Sequence, residues 1–147
     1  MYLIKEFNPN QLPNETERKQ IIEFLYEHLE EYGDPREDIE NCLNFALKIS
    51  ESLGGYVLLT LDENNIVGAA IVNKTWMYGY IPGDFLVYLA THKSYRGKGI
   101  GKQLLKKTLS MAEGSVKLHV EPKNPARFLY EKLGFSSKYL EMRCYNS

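Results

Sequence analysis

The sequence predicts a single mixed α+β domain spanning residues 1–147, and three observations carry that prediction. Amphipathic helical segments alternate with short β-rich runs, the usual source of a sheet with helices packed against it. No linker, repeat or low-complexity stretch divides the chain, which is of single-domain length with 44% apolar residues to build one core. A glycine-rich loop, Arg96-Gly97-Lys98-Gly99-Ile100-Gly101-Lys102, separates a continuous apolar run from a lysine-rich amphipathic segment, as at a strand-to-helix junction.

Residues 3–7 read as a short first strand. Residues 15–32 read as a helix, with Ile21, Ile22, Leu25 and Leu29 on one face and carboxylates opposite. Gly33 ends it, and Asp34-Pro35 fits the cap and first position of a second helix running to Ser52. That helix is expected to bury Ile39, Leu43, Ala46, Leu47 and Leu53. After Gly54-Gly55, residues 56–61 and 66–72 are β-rich runs joined by Asp62-Glu63-Asn64-Asn65, a hairpin signature. An aromatic connection, residues 76–83, leads to residues 85–91, a strand apolar enough to be buried on both faces. The loop helix follows over 100–113, then a strand over 116–121. Asn124-Pro125 opens a last helix that Gly134 stops, and residues 137–145 supply final β structure.

Composition narrows the function. Net charge is −1, which argues against bulk nucleic-acid binding. The total hides an asymmetry: residues 1–70 hold 5 basic and 14 acidic side chains, residues 71–147 hold 13 and 5. No apolar run approaches the roughly 20 residues that span a bilayer. The N-terminal segment carries neither a basic leader nor a small-residue cleavage site. Cys42 and Cys144 lie far apart, outside any metal-ligand spacing, and are expected to be buried free thiols in a reducing compartment. A cytoplasmic protein without membrane, nucleic-acid or metal partners is the expectation.

The glycine loop is the chemical signal. Each glycine near a helix start gives up roughly 1 kcal/mol of helix propensity relative to alanine. A sequence tolerates this where the backbone turns tightly or lies close to a ligand. Helix N-termini offer unpaired N–H groups and partial positive charge, so the expected ligand is a phosphate. The loop is no Walker A motif, because neither Gly97-Lys98 nor Gly101-Lys102 is followed by Ser or Thr. It is a poor dinucleotide fingerprint too: Lys102 stands where the third glycine would fall, although Glu121 lies where a ribose-binding acid would be expected. Four residues, 92–95, separate the strand from the loop that opens at Arg96, and only 26 residues follow Glu121, too few for a doubly wound sheet.

The arrangement resembles the GCN5-related N-acetyltransferases (GNAT). Their cofactor loop, Arg/Gln-x-x-Gly-x-Gly/Ala, matches Arg96 to Gly101. Their second motif matches Asn124 through Tyr130 to Gly134-Phe135, at the expected separation. One departure is Lys93, where the family often has proline. The resemblance implies a central mixed, mostly antiparallel sheet flanked by helices, with acetyl-CoA as cosubstrate and direct transfer of its acetyl group to a primary amine. It places the pyrophosphate on the backbone N–H groups of Gly97, Lys98, Gly99, Ile100, Gly101 and Lys102, with Arg96 and Lys98 adding charge. It places the pantetheine arm along Leu89, Ala90 and Thr91, with a backbone N–H near Leu89 or Ala90 facing the developing oxyanion. Asn124 caps its helix and contacts the arm. Tyr130 is the candidate acid, since a phenol near pKa 10 stays protonated beside a thiolate leaving group.

The base is less determined. Alternation sets Lys117, His119 and Glu121 on one side of their strand. Glu121 is the chosen candidate, with His119, Tyr88 or an ordered water as alternatives. Glu27, Glu30, Glu31, Asp34, Tyr78, Tyr80 and Glu141 fall in the segments that border the acceptor in the family. They suit a cationic amine: a polyamine, an amino sugar, a lysine or a peptide N-terminus. The aromatic stretch 76–83 lines that pocket or packs on a helix or neighbouring subunit, which admits a homodimer. Two readings compete: a non-catalytic acyl-CoA-binding regulatory domain, which would not need Tyr130, and an acyltransferase acting on charged tRNA, which the acidic N-terminal half opposes.

Overall fold

The structure, a computed structural model, describes residues 2–146. Its elements are β1 (Tyr2–Phe7), α1 (Glu15–His28), α2 (Arg36–Leu47), β2 (Gly55–Asp62), β3 (Asn65–Lys74), β4 (Asp84–Thr91), α3 (Ile100–Met111), β5 (Val116–Leu118) and α4 (Ala126–Lys132). Short 3₁₀ turns at Glu30–Tyr32 and Lys93–Tyr95 follow α1 and β4. The strands form one sheet in the order β1-β2-β3-β4-β5, antiparallel except for the parallel β4–β5 pair.

Local chemistry explains most boundaries. Asn14 and Glu17 form a reciprocal capping box at α1: the Asn14 side chain accepts the Glu17 N–H (2.7 Å), and the Glu17 carboxylate accepts the Asn14 N–H (2.9 Å). The helix stops at His28, earlier than the periodicity suggests, and Glu30 turns to φ 55°. Asp34 does not cap α2. Pro35 occupies the cap, and Asp34 instead accepts a hydrogen bond from the Tyr88 hydroxyl. α2 ends at Leu47, where Lys48 adopts φ 57°, so Leu53 lies outside the helix and 47% exposed. Of the two thiols, Cys42 is buried but Cys144 is exposed.

The sheet buries both faces. Val57, Leu59, Ala69 and Ile71 pack with Ile21, Leu25, Ile39 and Leu43 of α1 and α2. Leu58, Val67, Ala70 and Val72 pack with Ile100, Leu104 and Leu105 of α3 and Tyr130 of α4. One irregularity matters for the site. The β3–β4 register pairs Ile71 with Tyr88 and Val72 with Leu86, leaving Val87 as a bulge. The extra residue moves β4 by one side-chain position, so Leu86 faces α3 while Tyr88 and Ala90 face α1 and α2.

Two expectations about β structure fail. β5 stops at Leu118, short of Glu121. Residues 137–145 join no strand and are exposed throughout. Among the described residues, no helix is long and apolar enough to cross a membrane, and no cluster of His, Cys, Asp or Glu is arranged to hold a metal ion.

Candidate active site

The loop folds as a cradle. Gly97 and Gly99 hold φ of +83° and +81°, a region in which other residues are strained. A Cβ built on either would meet nothing within 4 Å, so the space beside them is open. Helical bonding begins when the Gln103 N–H reaches the Gly99 carbonyl (3.0 Å). The N–H groups of Ile100, Gly101 and Lys102 therefore precede the ladder and find no acceptor among the described residues. A Cβ on Gly101 would lie 3.4 Å from both Thr91 Oγ1 and Leu129 Cδ2. The first turn of α3 thus abuts the end of β4 and the flank of α4. These features fit a diphosphate: free donors, positive dipole and an unfilled cradle.

The basic side chains are less free than the sequence suggests. The Arg96 guanidinium pairs with Glu30 (2.5 Å) and donates to the His28 carbonyl (3.4 Å). This pairing holds the Glu30 carboxyl below its ordinary range. Lys98 folds over the Tyr95 ring, its Nζ 5.2 Å from the centroid. Lys102 remains exposed on the first turn of α3. His28 is only 5% exposed; its Nδ1 accepts the Lys93 N–H (3.3 Å), its Nε2 meets Glu27 (2.8 Å), and its ring lies 4.3 Å from that of His92. Burial foremost, then the neighbouring His92, lowers the His28 pKa below its ordinary 6.5. Sequence reasoning missed this clamp, because nothing in the spacing of His28, Lys93 and Arg96 brings them together.

From the cradle the outer edge of β4 runs back towards Leu86. β5 pairs with β4 only at Asp84, Phe85 and Leu86, so beyond the Val87 bulge the outer edge of β4 has no strand beside it among the described residues. The His92 N–H donates to the Val67 carbonyl (2.8 Å), which fixes the alternation of the ladder. Ala90 turns its N–H and C=O to Ala69 on β3, while Leu89 and Thr91 turn theirs to the open edge. Ala90, expected beside the cofactor arm, is thus committed to the sheet, and its side chain to the core.

Tyr130 stands on α4 behind this edge. It is 8% exposed, packed with Ile100 and Leu104 and edge-on to Phe135 at 5.9 Å. Burial pushes its phenol up to about 12, so it is protonated at physiological pH. Its hydroxyl has no protein partner among the described residues. Asn124 caps α4 through its side-chain oxygen, which accepts the Ala126 N–H (2.9 Å).

The other side of β4 carries the acidic groups. A groove of about 510 Å³ is lined by Tyr26, Glu27, Glu30, Gly33, Asp34 and Pro35. The buried Tyr88 donates to Asp34 (2.5 Å) at its margin, and the Tyr32 hydroxyl donates to the Lys123 carbonyl (3.2 Å). Burial and the bond to Asp34 hold the Tyr88 phenol above its ordinary range, which removes it as a base. Glu121 lies beyond the end of β5, exposed, so alternation along a strand does not aim it; its charge, with those of Glu31 and Glu30, acts on Tyr32. Lys117 and His119 do share a side: Lys117 Nζ is 3.3 Å from His119 Nε2, and both lie against Phe85. Partial burial, then Lys117, lowers the His119 pKa, leaving a neutral imidazole at physiological pH. Tyr78 and Tyr80 are not at this groove: Tyr78 reaches Glu113 beyond α3, and Tyr80 is 81% exposed.

The open turn at the start of α3, the unpaired β4 edge and the buried phenol of Tyr130 belong to one mixed α+β fold. A family model described as acetyltransferase (GNAT) domain matches residues 54–137, and the chain belongs to the GNAT acetyltransferase family. The chain is 40% identical over 86 residues to the [ribosomal protein bS18]-alanine N-acetyltransferase of Haemophilus influenzae, covering 55% of this chain and 56% of that protein. The match thus spans about half the length of the curated relative. Two solved structures share the fold: the ribosomal-protein-S18-alanine N-acetyltransferase of Escherichia coli (TM-score 0.71, 17% identity, 95% of this chain and 80% of that one) and a GNAT-family acetyltransferase of Streptococcus pneumoniae TIGR4 (TM-score 0.70, 22% identity, 99% and 98%).

Proposed function

We propose that this protein is a cytoplasmic N-acetyltransferase that moves the acetyl group of acetyl-CoA directly onto a primary amine. The observation that carries the reading is the continuity of three unpaired N–H groups at Ile100, Gly101 and Lys102 with the open β4 edge at Leu89 and Thr91. The first suits a pyrophosphate and the second an amide-bearing arm. Bound there, acetyl-CoA supplies an activated thioester. The outward N–H of Leu89 or Thr91 then faces the carbonyl oxygen as it gains charge. Tyr130, protonated and without a protein partner, donates to the leaving sulfur. The amine reaches β4 from the acidic groove, where Glu27, Glu30 and Asp34 favour a cation. His119 or Glu121, on the same side, takes its proton directly or through water.

The acceptor class is a cationic amine, and a peptide N-terminus beginning with alanine is included because the Haemophilus influenzae relative is named for N-acetylation of an alanine of ribosomal protein bS18. Free-thiol release from acetyl-CoA, measured across polyamines, amino sugars and a peptide beginning with alanine, tests the reading. Turnover with one class supports it. No thermal shift with saturating acetyl-CoA removes it, because a ligand that binds only the native state must raise Tm.

A further inference from the structure

Asp34 has the residue type and the position to cap α2, and it does not. Pro35 takes the cap without a side-chain hydrogen bond, while the Tyr88 hydroxyl donates to Asp34 Oδ2 (2.5 Å). That donor is fixed in place. The Val87 bulge sets Tyr88 among the buried side chains of α1 and α2, 7% exposed. The three carboxylates of the groove therefore differ. Glu30 is neutralised by Arg96, and Glu27 meets the His28 ring. Asp34 is exposed, and the Tyr88 hydroxyl is its one hydrogen-bond partner among the described residues. One oxygen is held from beneath by a neutral donor, and the other is left to receive a cation from the groove.

That cation is not the reacting nitrogen. An amine attacks a thioester only as the free base, whereas a carboxylate beside an ammonium favours its charged form. The geometry points to Asp34 as the counter-ion of a second, non-reacting ammonium of the acceptor, and to Tyr88 as the residue that positions it. The acceptor class thereby narrows to amines with at least two cationic centres, which rests on the N-acetyltransferase reading above. One nitrogen stays charged on Asp34 while another loses its proton and attacks. Tyr88 touches no reacting atom and acts only through Asp34. A monoamine has to choose between the two roles, and a diamine fills both.

Free-thiol release from acetyl-CoA, with diaminobutane and butylamine as acceptors of equal length, tests this. The diamine should show a KM roughly tenfold or more below that of butylamine, the scale of one contact to a charged group. Asp34→Asn should erase the difference by raising the diamine KM. Tyr88→Phe, which keeps the ring, should raise the same KM with little change in kcat, and should add nothing in the Asp34→Asn background. A tyrosine that only packs would instead give additive effects. The thermal shift with acetyl-CoA, read on each variant, shows that it is folded. Equal KM for the two amines overturns the inference, as does a diamine preference that survives Asp34→Asn. An additive Tyr88→Phe effect overturns the positioning role. No turnover of the diamine by a chain that acetyl-CoA stabilises overturns it too. A missing thermal shift is the separate failure of the transferase reading, and the inference falls with it.

Discussion

Tyr130 and Gly99 show how individual residues divide stability from chemistry. The Tyr130 ring is core, but its hydroxyl bonds to nothing among the described residues, so Tyr130→Phe should leave the fold nearly untouched. Turnover should fall about 100-fold, the scale of a lost general acid, with the acetyl-CoA thermal shift retained; unchanged turnover would return Tyr130 to packing alone. Gly99→Glu acts oppositely. The side chain meets open space but sits at φ +81° and sets a carboxylate in the cradle, so acetyl-CoA affinity should be lost while the domain stays folded. Calorimetric titration with acetyl-CoA checks it, and normal affinity would place the phosphates elsewhere. His28 carries a pH dependence. Its folded pKa lies below the unfolded 6.5, so in that window the unfolded chain binds more protons. Stability from this group is intact above 6.5 and declines as pH falls below it. Protonation also removes the Nδ1 acceptor of the Lys93 N–H. A His28→Asn variant should show a flatter Tm profile between pH 5 and 7.

Among elements, α3 is the one whose docking fixes the site. A Cβ on Gly68 of β3 would lie 2.6 Å from Ile100 Cγ2 and 3.0 Å from Leu104 Cδ1, so β3 and α3 pack with no room for a methyl. Gly68→Ala should destabilise by about 1–3 kcal/mol, the usual cost of overpacking. Because it displaces the first turn of α3, it should also weaken acetyl-CoA binding. Urea denaturation measures the first effect and titration the second; full stability with full affinity would show that α3 is not held this closely. The helix start was legible in Gly97 and Gly99. The contact with Gly68 was not, since a glycine inside a β-rich run says only that something comes near.

Across the whole molecule, the two halves of the charge pattern meet at the site. The acidic first half supplies the groove at Glu27, Glu30 and Asp34, and the basic second half supplies the loop. The Arg96–Glu30 pair bridges them at the surface, where an ion pair contributes about 0–1 kcal/mol. Raising ionic strength should therefore raise the KM for acetyl-CoA while changing Tm little. A KM independent of salt would leave anion binding to the backbone alone.

Local rules reached far into this protein. Gly134 marks where the last helix stops, the apolar face of residues 21–29 marks the buried side of the first helix, and the loop and the Asn124–Tyr130 motif name the family. Three features lay beyond them. The Val87 bulge, which turns Tyr88 towards Asp34 and away from α3, depends on which residues of β3 and β4 pair. The early end of β5, which opens the β4 edge and leaves Glu121 outside any strand, depends on where two parallel strands part. The clamp of His28 and Glu30 on the loop joins groups some 65 residues apart. Periodicity and capping act within a few residues of backbone and so are written in the sequence, whereas register, strand separation and long-range pairing are settled only when the two faces of the sheet are packed together.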